Sequence, residues 1–575
     1  MAGRKRITLV TDELLGYVRT GGIGTATTYL AVALGRMGHK VELLAAGDPP
    51  SAPMGEEWSS LYEDAGVAVR VLPRSTRRIE PSYFARMRDV EDALAADPPD
   101  VVITQDLAAP AYTALRMRHL GLAFEQTLFV VYCHGGRRWI TDMARKVRVL
   151  PGAHAVTELE RTSVEIADVV VSPSAYLIDW MHNEGWRLPE RTVVTPHLSR
   201  SAATGKTQAR ATPNGGRVTR IAFFGRLEER KGLKPFAAGL NALPPELLHD
   251  VELEFVGSAT PAWPPERIEA LLAEQTRRAL RRISFETDLD QPEAFARLSR
   301  PGTLAVMPSL GETFSNAVYE CLERGIPFIA SDAGAPAELV AAEDHDRVLF
   351  EPSADGVAGA LQRALSNGEA LRPARAAFDA AGGYERWAAV VELEPEARLS
   401  GEAADSIVVR DETDVLHEDC VELLTRAQTV SGADVVTCGV RLQDGTERLF
   451  LGEPRGVGLL ANHYGTVSLV RRSLLPDGAE RQNPWPLYAQ LSLEGATVVS
   501  IPRALATPRA APGDVDRDPA AALLVVQHFE AHLPHLLRGL ARLAAGLAAA
   551  APEHARPARR HGSLLQRVLG RLRLS

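Results

Sequence analysis

A short apolar run, Ile7–Val10, leads to glycines at Gly21, Gly22 and Gly24. Tyr29, Leu30, Ala33, Leu34 and Met37 then recur at helical spacing, before Gly38 and a second apolar run, Val41–Ala45. Continuous apolar runs mark buried strands, and the intervening period marks a helix. A strand, a helix and a strand in so short a span form a βαβ unit. Its strands must be parallel and its crossover right-handed. Val101–Thr104, Leu128–Tyr132, Asp168–Ser172 and Arg191–Thr195 are expected to extend the same sheet.

A polar stretch rich in Ala, Thr and Gly, about Ser201–Arg217, reads as a linker. The alternation then restarts at Ile221–Phe224 and runs through Val251–Val256, Arg282–Phe285, Leu304–Pro308 and Phe328–Ser331. Two doubly wound lobes leave a cleft between them, and ligands bind outside the carboxyl ends of such strands. The expected α/β architecture has lobes at 1–200 and 218–392, a smaller α/β module at 395–515 and a helical basic tail at 517–575. No tandem repeat of solenoid period is present.

With 575 residues, 45% of them hydrophobic, the chain can bury several cores. A formal net charge of −9 argues against a nucleic-acid partner, which would call for excess Lys and Arg. The four cysteines, Cys133, Cys321, Cys420 and Cys438, form no CxxC pair, so neither a zinc site nor a disulfide framework is expected. The amino-terminal residues lack the apolar core of a signal peptide. The Ala/Leu-rich run Leu523–Ala551 is interrupted by His and Arg, so no membrane span is expected. A reducing cytoplasm is the expected home.

Four segments can carry chemistry. Gly311-Glu312-Thr313-Phe314-Ser315-Asn316 follows a strand. Ser315 or Asn316 can cap the next helix, and Gly325 with Pro327 ends it. Such a turn presents backbone N–H groups and a positive dipole end to a diphosphate. Glu312 can accept from sugar hydroxyls, and Glu320, seven residues between them, from a ribose. Gly225-Arg226-Leu227-Glu228-Glu229-Arg230-Lys231-Gly232 also follows a strand, and Arg226 and Lys231 would place two cations beside donor phosphates. Gly22 and Gly24 permit close backbone approach, without the full dinucleotide spacing. His134 ends the strand Leu128–Tyr132, where a side chain can reach the cleft. Taken singly, each has an ordinary structural account: surface glutamates, a charged turn, a tight connection, a core histidine.

Jointly, over about Arg4–Glu392, these segments resemble glycosyltransferase family 4, the retaining GT-B enzymes. Gly334–Glu338 and the Tyr384-Glu385-Arg386-Trp387 helix add to the likeness. The resemblance implies that Arg226 and Lys231 contact the donor phosphates, with Thr313, Phe314 and Ser315 beside them. It implies that Glu312 faces the donor sugar and Glu320 binds the ribose. Gly22 and Gly24 would lie near phosphates and acceptor, and His134 would line the reacting centre. No cofactor and no metal are implied, the nucleotide sugar being a substrate. One departure is Val194-Thr195-Pro196-His197, where many relatives have an Asn-Gly turn.

Residues 405–512 resemble the latter part of glycosyltransferase family 2, a GT-A fold. Asp411-Glu412-Thr413-Asp414 imitates its metal turn, but Asn483-Pro484 occupies the position of its base, and Pro cannot abstract a proton. The nucleotide-binding half has no counterpart between Glu392 and Asp405. The region is expected to be a truncated, inactive module. In the tail, Arg556, Arg559, Arg560, Arg567, Arg571 and Arg573 alternate with leucines, which makes it a candidate for peripheral contact with the inner membrane face, or a frayed basic terminus.

The expected activity is retaining transfer of a sugar from a nucleoside-diphosphate sugar to a glycan or glycolipid hydroxyl, in surface polysaccharide or glycolipid synthesis. Two alternatives stand beside it: a GT-B-shaped sugar-nucleotide epimerase, and a non-catalytic scaffold for glycan assembly.

Overall fold

A computed structural model describes residues 3–17, 21–50, 53–144, 151–205, 216–366, 371–378, 380–397, 401, 403–452, 457–459, 461–475, 484–508 and 525–527. Thr20, most of the linker, Asn483 and, apart from 525–527, the basic tail with its candidate membrane contact lie outside these residues. Among the described residues, no helix is long and apolar enough to cross a membrane.

The chain opens with β1 (Arg6–Thr11), β2 (Lys40–Ala45) and β3 (Val67–Val71), and passes through a two-residue strand, β4 (Ile79–Glu80). It continues with β5 (Val101–Gln105), β6 (Leu128–Tyr132), β7 (Val169–Ser172) and β8 (Thr192–Val194). All but β4 form a parallel 7-stranded sheet in the order β3-β2-β1-β5-β6-β7-β8. Ile7, Leu9, Val10 and all of β5 and β6 are buried, because helices cover both faces. The helix Gly22–Arg36 supplies the first crossover.

The second lobe repeats the plan with β9 (Arg220–Phe224), β10 (Glu252–Val256), β11 (Arg282–Glu286), β12 (Thr303–Met307), β13 (Phe328–Ser331) and β14 (Leu349–Phe350). Its order is β11-β10-β9-β12-β13-β14, again parallel. Strand order therefore reverses at β1 in one lobe and at β9 in the other, the crevices where such sheets take ligands. The helix Ala380–Val391 returns to the first lobe. Its Trp387 is fully buried there, 4.9 Å from the Tyr132 ring.

The third region comprises β15 (Ser406–Val409), β16 (Val415–Leu416), β17 (Val435–Arg441), β18 (Glu447–Arg448), β19 (Val467–Arg471) and β20 (Val498–Thr507). β17 is central, antiparallel to β18 and β19 and parallel to β20. The edge is closed by β4 from the first lobe, beside β18. Cys420, Leu424, Ala427, Val436 and Cys438 join Leu94, Leu115, Met117 and Phe129 in one apolar core. Glu91, buried at the seam, accepts from Arg88 at 2.8 Å and Arg503 at 2.9 Å. The sequence boundaries divide the chain into separate units, yet the first lobe and the third region share a core and a sheet.

Candidate active site

A cleft of about 620 Å³ lies between the two reversal points. Its first-lobe wall includes Gly21 and Gly22, and its second-lobe wall includes Gly225, Arg226, Arg230 and Lys231. Helix geometry explains the glycines. Gly22 starts the helix Gly22–Arg36, and a Cβ there would lie 2.6 Å from Asn316 Nδ2. On Gly21 it would lie 2.8 Å from Arg226 Nη2. The close approach expected of a ligand is thus made by side chains of the opposite lobe. Gly24 is buried within the same helix.

After β9, residues Glu229–Lys231 form one short turn, ended by Gly232 at φ +81° with its Cα packed on the Pro308 carbonyl. A Cβ at that φ would be strained and would collide with the carbonyl, so glycine is required. This turn aims Lys231 at Glu312. The ammonium donates to Glu312 Oε1, which also accepts from Ser309 Oγ at 2.6 Å, while Arg230 Nη1 lies 3.5 Å from Oε2. Burial works to raise the Glu312 carboxyl, but Lys231 and Arg230 outweigh it and hold the group below its usual range. Burial also draws the Lys231 ammonium below its usual value. Glu312 is thus a buried anion locked to two cations, and of this cluster Lys231 and Arg230 reach the cleft wall.

Ser315 caps the helix Asn316–Arg324 by accepting from Val318 N–H, and Gly325 ends it at φ +65°. Glu320, on this helix, lines the cleft and accepts from Gln291 Nε2. Burial pushes its carboxyl up to about 8, with Arg324 opposing.

The side chains of Thr313, Phe314 and Ser315 correct the sequence expectation, for none lines the cleft. Thr313 Oγ1 donates to the His134 carbonyl at 2.8 Å, and its own carbonyl accepts from Ser174 Oγ at 2.6 Å. Phe314 packs edge-on to His197 at 4.4 Å. Ser315 is spent on its cap. This segment clamps the lobes together, aided by Glu338, which accepts the amides of Ala175 and Tyr176 at 2.8 and 2.7 Å. What it offers a ligand is backbone at a helix start.

His134 lies in an aromatic cluster, 4.4 Å from the Tyr132 ring and 5.1 Å from His197. Its Nε2 is buried without a partner, and burial draws the imidazole down to about 3, so it is neutral near pH 7. Asp106 fixes this turn by accepting the amides of His134 and Gly135 at 2.9 and 3.0 Å. Glu160 accepts those of Ala108 and Arg137 at 2.8 and 2.7 Å. A second cavity, about 300 Å³, opens beside them, lined by Asp12, Glu13, Gln105 and Arg137.

The sequence reading brought Gly22, Arg226, Lys231 and Glu320 to one cleft, with Arg226 exposed in it. It assigned no role to Arg230, Ser309, Gln291, Asp106 or Glu160, and it offered Asn316 only as a helix cap, a place that Ser315 takes. Arg230 had a signal, standing between two basic positions of the same turn. The others depend on contacts between distant segments.

Among the described residues, no three His, Cys, Asp or Glu side chains converge as a metal site. In the third region Asp411 Oδ1 is occupied by Thr413 N–H and Oγ1 at 2.8 and 2.6 Å.

Residues 20–198 match the family model Glycosyltransferase Family 4, and residues 218–367 match Glycosyl transferases group 1. A GDP-mannose-dependent alpha-mannosyltransferase of Mycolicibacterium smegmatis (strain ATCC 700084 / mc(2)155) is 25% identical over 337 residues, 58% of this chain and 82% of the relative. Among solved structures, sucrose-phosphate synthase from Thermosynechococcus elongatus aligns with a TM-score of 0.47 and 18% identity, covering 68% of this chain and 96% of that one. The catalytic domain of starch synthase IV from Arabidopsis thaliana aligns with a TM-score of 0.45 and 14% identity, covering 68% and 95%.

Proposed function

The chain is a glycosyltransferase family 4-like protein of the GT-B type, and on that premise we propose that it transfers a sugar, with retention of configuration, from a nucleoside-diphosphate sugar to a hydroxyl acceptor. The observation that carries this reading is the cation cluster of Arg226, Arg230 and Lys231 at the reversal point of the second sheet, facing the Gly21-Gly22 turn across the cleft. A diphosphate fits there, against those charges and the amides ahead of the helix Asn316–Arg324. Glu320 accepts from the ribose.

In the transfer, the acceptor oxygen bonds to the anomeric carbon as the bond from that carbon to the phosphate oxygen breaks. The electron pair leaves with the diphosphate. The acceptor proton passes to the departing phosphate oxygen on the same face. Lys231 and Arg230 stabilise the growing negative charge, so the step proceeds without a metal. Glu312 keeps these cations in place, and its role toward the donor sugar is exerted through them. His134 lines neither cavity; neutral, with its backbone amide held by Asp106, it supports the centre from the aromatic cluster of Tyr132 and His197 and not as a cation.

The donor to test first is GDP-mannose, the substrate named in the relative from Mycolicibacterium smegmatis. The acceptor side is assigned to the cavity at Asp12 and Arg137, with a glycan or glycolipid as its ligand. The third region is read as a support for the first lobe, without chemistry of its own. Turnover of a nucleotide-sugar panel tests the proposal, and full activity in Glu320→Ala and Lys231→Ala would sink it.

A further inference from the structure

Gln291 stands at the start of the helix Gln291–Leu298 in the second lobe, and its carboxamide enters the cleft. The Nε2 donor faces Glu320 Oε1 and leaves the amide's own Oε1 to accept elsewhere. It accepts from Tyr29 Oη at 3.3 Å. Tyr29 belongs to the helix Gly22–Arg36 of the first lobe and is itself buried. A chain of two hydrogen bonds therefore runs from the first lobe, through one amide, to Glu320. A second contact joins the helix Gly22–Arg36 to the helix Asn316–Arg324 that carries Glu320, Gly22 against Asn316.

We infer that Gln291 is a positioning residue: it fixes the Glu320 carboxylate so that the remaining oxygen meets the nucleotide's ribose, and through Tyr29 it makes that orientation depend on the first lobe being in place. The inference rests on the reading that Glu320 receives the ribose. It goes further by making ribose recognition a property of the closed pair of lobes. Glu320 Oε1 is already engaged by Gln291, so a ribose hydroxyl donates to Oε2. Without the amide, the carboxylate turns about its side-chain bonds and loses that aim. Tyr29 does not line the donor cleft; it shares a smaller cavity with Gln291 and Glu320, and its hydroxyl donates to Gln291.

Calorimetric titration of the full chain with UDP and GDP, each paired with its 2′,3′-dideoxy counterpart, tests this. The wild-type protein is expected to prefer the ribonucleotide. Gln291→Leu should weaken the ribonucleotide about tenfold and leave the dideoxy form unchanged, because one hydrogen bond to a charged group is misaligned. Tyr29→Phe, which removes one oxygen atom, should act in the same direction by about threefold. A merely structural role would weaken both nucleotides equally. Equal weakening, or an unchanged ratio in both variants, overturns the inference while leaving Glu320 as the ribose acceptor. A wild-type protein that does not distinguish the two sugars overturns both together.

Discussion

Lys231 donates its ammonium proton to Glu312 across 81 residues of chain, and the same carboxylate oxygen takes Ser309 Oγ at 2.6 Å. Two residues expected to meet different parts of the donor are thus one ion pair. Removing Lys231 leaves Glu312 with Arg230 at 3.5 Å as its remaining cation, and removing Glu312 takes from both cations the anion they share. Lys231→Met and Glu312→Gln should each lower kcat/KM by about a hundredfold, and the double variant should fall little further. Steady-state kinetics of the set checks this, and multiplicative losses would mean that the two act independently.

The pH dependence follows from Glu320. Its carboxyl is raised from 4.5 to about 8 by burial, so it is largely protonated near pH 7 in the unliganded protein. Ribose hydroxyls donate best to the ionised form, so ribonucleotide affinity relative to the dideoxy form should rise from pH 6.5 to pH 9. In Glu320→Gln that ratio should stay flat. The effect on stability has the opposite sign. A raised pKa means that the folded state holds a proton the unfolded state gives up, and the advantage is lost as pH rises through about 8. Melting curves should therefore show Glu320→Gln gaining on the wild type between pH 6 and pH 9.

Gly22 and Asn316 set how closely the lobes approach. A Cβ at position 22 would lie 2.6 Å from Asn316 Nδ2, so Gly22→Ala should raise the donor KM by about tenfold. Asn316→Gly in the same chain should restore much of the loss. Failure of that rescue would place the effect of Gly22 elsewhere.

The third region should melt with the first lobe. Leu424 is fully buried in the core that contains Leu115 and Phe129. Leu424→Ala should cost about 2–5 kcal/mol and lower the transition of the combined unit. Calorimetry that resolves a separate melt for residues 405–508 would contradict the shared core. For the same reason, a chain ending at residue 394 should lose soluble first lobe.

A chelator tests the metal-free step. Turnover in EDTA should stay within about twofold of the untreated enzyme, as expected where fixed cations meet the leaving group. Asp411→Ala should likewise leave turnover unchanged, since that carboxylate serves its own turn. Loss of activity in either experiment would point to a working GT-A-like site.

Local pattern determined a good deal on its own. The buried runs and helical spacing predict both parallel sheets, and β6 and β13 begin and end where the sequence places them. The reason is that a strand covered on both faces must be apolar throughout, and that is visible in a few residues. Short or partly exposed strands, β3, β4 and β14, carry no such signal and were not foreseen, and β19, buried at all but its last residue, was missed with them. The turn chemistry was legible too, because Ser315 and Gly325 act on their own neighbours. Only the tertiary structure decided what each turn faces. Glu312 meets Lys231, Thr313 meets His134, and Gln291 joins Tyr29 to Glu320, all through crossovers that bring distant loops to one sheet edge. The shared core of the first lobe and third region belongs to the same class. Burial of one helix face shows in periodicity, but the partner that covers it is set by shape and connection, which no local spacing records.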